Sequence, residues 1–109
     1  MAVTFASNKL MEDVAMTSSF QSDEIYLHRK TNYSIHSIFT GSPVGSMYIA
    51  VSINGDDWIV LADSTQAIAA AGDIMYNIDK GSYSIARLHY TFASGSGTCN
   101  SFFDAKGEI

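Results

Sequence analysis

The sequence predicts an all-β domain, an antiparallel β-sandwich of jelly-roll-like form with about eight strands. Three observations predict it. Short runs with an apolar–polar period of two recur along the chain. Turn signals rich in Gly, Ser and Asn separate them at intervals of about eight to twelve residues. No long amphipathic helix alternates with these runs, as a parallel βαβ sheet would require. At 109 residues the chain has the size of one domain able to bury a modest core.

Residues 1–13 are weakly patterned and read as an N-terminal arm or an edge strand; residues 14–109 read as a single β-sandwich domain. Residues 11–16 have the composition of a helical turn but are too few to stand alone as a helix. Residues 14–20 alternate loosely, and 21–23 form a turn. Residues 24–28 make a short strand with Ile25 and Leu27 on one face, broken at 29–32. In the strand at 33–40, Tyr33, Ile35 and Ser37 share one face, with His36 and Ile38 on the other. Residues 41–45 read as a turn around Pro43, the only proline.

Next, Met47, Ile49, Val51 and Ile53 alternate with Tyr48, Ala50 and Ser52, the pattern of a strand with one buried face. Asn54-Gly55 is the strongest short-range hairpin signal, because a type I′ turn needs φ > 0 at both central residues. Trp58 opens the returning strand and is close enough to fold back onto the hairpin. Residues 62–72 read as a strand plus a loop, with a helical turn as the alternative for the Ala-rich part. Residues 73–78 form a strand and 79–82 a turn. Residues 83–92 alternate strictly: Tyr83, Ile85, Arg87 and His89 against Ser84, Ala86, Leu88, Tyr90 and Phe92. A flexible turn is predicted at 93–97, after which 98–104 return antiparallel and 105–109 form a tail.

Composition narrows the function. With 47% apolar and 16% charged residues, the chain is a folding sequence with apolar surface for a partner to cover. A net charge of −5 with six Lys and Arg leaves no basic footprint for nucleic acid. The single cysteine, Cys99, excludes an intramolecular disulfide and reads as a small buried hydrophobe. The N-terminus lacks the basic start and apolar core of a signal peptide, and no run is long enough to span a bilayer, so synthesis in the cytoplasm and no membrane partner are expected.

Little in the chain suggests catalysis. Asp56 and Asp57 beside Asn54 offer oxygen ligands, but without the alternating positions and bidentate Glu of a Ca²⁺ loop they read as a solvated hairpin tip. His28, His36 and His89 lack metal-ligand spacing. Nucleophile-elbow, phosphate-loop and dinucleotide motifs are missing. No enzymatic activity, catalytic residue, cofactor or metal is therefore expected. The aromatics remain. Tyr26, Tyr33, Tyr48, Tyr76, Tyr83, Tyr90 and Trp58 read as core, with some able to stack on sugars or anchor an interface. The candidate ligand or interface contacts are Trp58, Asp56, Asp57 and Tyr48.

Residues 33–45, 51–61, 70–73, 83–91 and 94–98 occur in an order that resembles a family of small virion structural proteins of tailed and other bacterial viruses. A Tyr-Ser-Ile strand, a Thr-Gly-Ser-Pro-Val-Gly turn, a Ser-Asn-Asp-Gly-x-x-Trp hairpin and a Tyr-Thr-x-x-Ser-Gly-Thr-Gly turn recur in that family in this order. The hairpin also resembles the Tyr-Ser-x-Asp-Gly-x-x-Trp element of discoidin-type jelly rolls. Here Ile53 and Asn54 stand where Asn and Asp are usual, and the two discoidin cysteines are missing. The resemblance implies a structural role in the virion, as a capsid decoration or cement subunit. Its implied partners are copies of itself, in a trimer or larger oligomer, and other virion proteins. The alternative it implies is a carbohydrate-binding, discoidin-like module on a phage tail or fibre.

Overall fold

Two long strands organise the chain. In a computed structural model describing residues 6–27, 32–78 and 84–106, β4 (Asn32–Ser52) and β8 (Ile85–Lys106) pair antiparallel from end to end. The first five residues of the expected arm, His28, the break at 29–31, the turn at 79–82, Tyr83 and the last three residues lie outside the described residues. Six shorter strands flank the long pair, every one of them antiparallel. β1 (Ala6–Ala15) lines the C-terminal half of β8, and β7 (Gly72–Ile78) the N-terminal half of β4, giving the layer β7-β4-β8-β1. The other halves carry β2 (Phe20–Gln21) and β3 (Ile25–Tyr26) along β8, and β5 (Ile59–Val60) and β6 (Gln66–Ile68) along β4. The segment after residue 62 is thus a strand plus a loop. No helix occurs among the described residues, so none is long and apolar enough to cross a membrane.

The long strands are sharply bent. A straight strand as long as β8 would extend roughly 70 Å, yet the longest dimension of the molecule is 44 Å. Tyr76 pairs with Ile35, but its hydroxyl donates to the carbonyl of Met47 at 3.0 Å. Along a straight β4 those two positions would lie roughly 40 Å apart. Each long strand therefore passes from one layer into the other, and the layers close over one core containing Tyr33, Ile35 and Phe39 from one half of β4 and Met47, Ile49 and Val51 from the other.

The bend lies where two turns are predicted, and both expectations are corrected. Residues 41–45 and 93–97 do not reverse the chain; they pair with each other, Gly41 opposite Gly97 and Pro43 opposite Gly95. Facing one another, two turn-forming segments satisfy each other's backbone polar groups, and neither needs to fold back on itself. Pro43, which has no N–H to give the ladder, is tolerated at this irregular point. Gly95 has φ 81°, and a Cβ there would lie 2.1 Å from the Ser42 carbonyl oxygen. Residues 98–104 accordingly continue β8 and are not a returning strand.

One residue in the bend sets both faces of β8. Val44 pairs with Ser94 but Gly45 pairs with Phe92, which leaves Ala93 as a β-bulge. β4 keeps one alternation throughout, burying Tyr33, Ile35, Ser37, Phe39, Met47, Ile49 and Val51. β8 buries Ala86, Leu88 and Tyr90 before the bulge and Cys99, Ser101 and Ala105 after it, a switch of parity at Ala93.

The core holds a polar pair. Ser37 and Ser101 face each other across the ladder, both 0% exposed, with their hydroxyls 2.8 Å apart. Cys99 is buried beside Ser101, and burial raises its thiol pKa, which fits a packing role rather than that of a nucleophile. Ser37→Ala leaves the buried Ser101 hydroxyl only its weak contact with Cys99 Sγ at 3.5 Å and is expected to cost about 1–3 kcal/mol. In urea unfolding, the Ser37→Ala/Ser101→Ala double variant should lose less than the sum of the two singles, because the 2.8 Å hydroxyl pair is then removed whole rather than by halves.

Candidate functional site

The outward face of the second layer carries a continuous row of planar side chains. Tyr48 and His89 are register partners on β4 and β8, and their rings stack with centroids 5.0 Å apart and planes 8° from parallel. Arg87, two residues along β8, donates from Nε to His89 Nε2 at 2.9 Å. Its guanidinium carbon lies 3.9 Å from the centroid of the Trp58 ring, a cation–π stack. The row thus runs Tyr48, His89, Arg87, Trp58.

Trp58 reaches this row because the loop at 53–58 folds back over the sheet. The expected two-residue type I′ tip does not form: of Asn54 and Gly55, only Gly55 has positive φ, 85°. The Asn54 side chain closes the loop by another route. Its Oδ1 accepts from the backbone N–H groups of Asp56 and Asp57, each at 2.9 Å, and its Nδ2 donates to Asp57 Oδ2 at 2.9 Å. The Gly55 N–H donates to Ser52 Oγ, and Trp58 Nε1 donates to the Gly55 carbonyl. Ala50 and Ser52, at outward positions, are consequently buried.

The structure brings Trp58 and Tyr48 together through Arg87 and His89, and both rings are half-buried. Asp56 and Asp57 are exposed on the loop, where Asn54 organises them. Among the described residues no group of three or more His, Cys, Asp or Glu could hold a metal ion. Sequence reasoning had not singled out Arg87 and His89. The strict alternation of residues 83–92 nonetheless put both on the face opposite Leu88 and Tyr90, and that was the available signal.

His89 is electrostatically committed. Burial and then the neighbouring Arg87 charge lower its pKa from 6.5. As acceptor from Arg87, its Nε2 carries no proton, so the ring is neutral. The unfolded chain therefore takes up the proton at higher pH than the folded one. Stability from this site is complete above about pH 6.5 and is lost as pH falls below it. Thermal melts at about pH 7.5 and 5.5 should show a fall in Tm that is smaller in His89→Gln.

A second feature lies at the sheet margin. β5 is an end strand of the sheet, and Ile59 and Val60 are 69% and 49% exposed. Ile53, 77% exposed, stands beside Ile59, while Val60 points to the opposite face of the strand. With Val51, Ser52, Asn54, Asp57 and Ile59 it lines an apolar hollow of about 370 Å³.

No protein-family model matches the chain, and no curated protein sequence matches it. Its architecture is shared with solved structures of low sequence identity. The SPBc2 prophage-derived protein YomS is 11% identical with a TM-score of 0.66, over 95% of this chain and 96% of that one. The Tobacco streak virus coat protein, solved as a dimer, is 9% identical with a TM-score of 0.51, over 97% and 87%. A chain from the disulfide-linked pili of Bacillus endospore appendages is 14% identical with a TM-score of 0.50, over 99% and 93%. At these identities the likeness shows the fold.

Proposed function

We propose that this chain is a virion structural protein of a bacterial virus, a capsid decoration or cement subunit that works by contact with copies of itself and with other virion proteins. The apolar margin at β5 carries the reading. Ile53 and Ile59 form an exposed patch around a hollow, and such patches mark contact surfaces. Burying each of these side chains in an assembly gains on the order of 1.5–3 kcal/mol. β5 is only two residues long, which limits uncontrolled strand addition, so docking rests on side chains. The prophage-derived and coat-protein folds named above support the reading.

Sedimentation velocity over a concentration series tests it. The wild-type chain is expected to form trimers or larger species. Ile59→Lys should sediment as a monomer with an unchanged Tm, because Ile59 contributes little to the core. A wild-type chain that stays monomeric throughout and does not bind capsids contradicts the proposal.

A further inference from the structure

We propose that a polar groove on the far side of Arg87 binds a neutral oligosaccharide. The groove, about 440 Å³, is lined by Gln21, Ser22, Asp23, Glu24, Tyr26 and Arg87. Its floor is fixed. Ser22 N–H donates to the Leu88 carbonyl, Leu88 N–H donates to Ser22 Oγ, and that hydroxyl donates to the Asp23 carbonyl, all within 2.9 Å. β2 and β3 tie both ends of this segment to β8. The Asp23 and Glu24 side chains are exposed and extend from an anchored backbone.

The groups left for a ligand suit a polyol. Tyr26 is 70% exposed, and its hydroxyl donates to Glu24 Oε2 at 2.9 Å, which steadies the ring at the rim. Arg87 is held by its stack on Trp58 and its Nε bond to His89, and among the described residues no carboxylate forms an ion pair with it, so its terminal N–H groups remain to donate. Carboxylate, amide and guanidinium groups bind vicinal hydroxyls in pairs, while an open aromatic ring takes the C–H face of a sugar. Two carboxylates disfavour an anionic ligand, and the fixed guanidinium disfavours a cationic one. Trp58 and Tyr48, the platforms nominated by sequence, each have a ring face covered by Arg87 or His89; Tyr26 has no such cover in the described contacts.

The full-length protein should be screened on an array of neutral and charged glycans, and the best neutral oligosaccharide titrated by isothermal calorimetry. Tyr26→Ala is expected to bind it roughly tenfold more weakly with an unchanged Tm. Glu24→Gln should also weaken it, while Ile59→Lys, which tests the assembly contact, should leave it unchanged. Absence of neutral glycan binding at millimolar concentration, undiminished binding by Tyr26→Ala, or selective binding of anionic glycans or lysine-rich peptides would each overturn the assignment. None of these outcomes bears on self-association at β5.

Discussion

Deletion of Ala93 is expected to leave β8 in register with its buried face intact. Ala93 is the extra residue of the ladder, because Val44 pairs with Ser94 and the next residue, Gly45, pairs with Phe92. Without it Phe92 and Ser94 become neighbours, as Val44 and Gly45 are, and Leu88, Tyr90, Cys99 and Ser101 fall on one regular alternation like that of β4. What the deletion removes is the local bend and twist that a bulge adds. Circular dichroism melts should show a cooperative transition for the deletion, and Ala93→Ser, which keeps the bulge, should melt close to the wild type. A deletion variant with no cooperative transition would contradict the role given to the bulge.

Gly95→Ala is expected to lower stability by about 2–5 kcal/mol. The left-handed backbone of Gly95, φ 81°, costs a residue with a Cβ about 1–2 kcal/mol. The added Cβ would sit 2.1 Å from the Ser42 carbonyl oxygen, and this neighbour is backbone held in the β4–β8 ladder. Relieving such a clash costs about a further 1–3 kcal/mol. Tm should fall by at least ~8 °C. Gly55→Ala is the informative contrast. Gly55 has a similar φ of 85°, but a Cβ there meets only the Ile85 side chain at 3.6 Å, so strain without collision gives a smaller loss.

These two positions also mark what the sequence could and could not convey. The strands around Met47–Val51 and Arg87–Tyr90 were legible because each buries one face, and burial writes a period of two into the residues. That same alternation placed Arg87 and His89 together on the outer face. The bend was not legible. Gly41–Gly45 and Gly95–Gly97 are locally turn-forming, and only their pairing across some fifty residues makes them parts of continuous strands. The tip at Asn54-Gly55 was misread for a related reason: the Asn54 side chain bonds the following backbone in place of a tight turn. Tyr26 was one of six tyrosines in the sequence. It stands between the buried Ile25 and Leu27, so alternation turns it outward, whereas Tyr33 and Tyr90 share the buried faces of Ile35 and Leu88.

Assembly through the β5 margin is tested most directly by methyl-resolved NMR of the full chain over a concentration series. The methyl signals of Ile53 and Ile59 are expected to shift or broaden as concentration rises, while those of Ile35 and Ile49, buried in the core, stay fixed. Margin methyls that remain unchanged up to millimolar concentration, with and without capsids present, would contradict it.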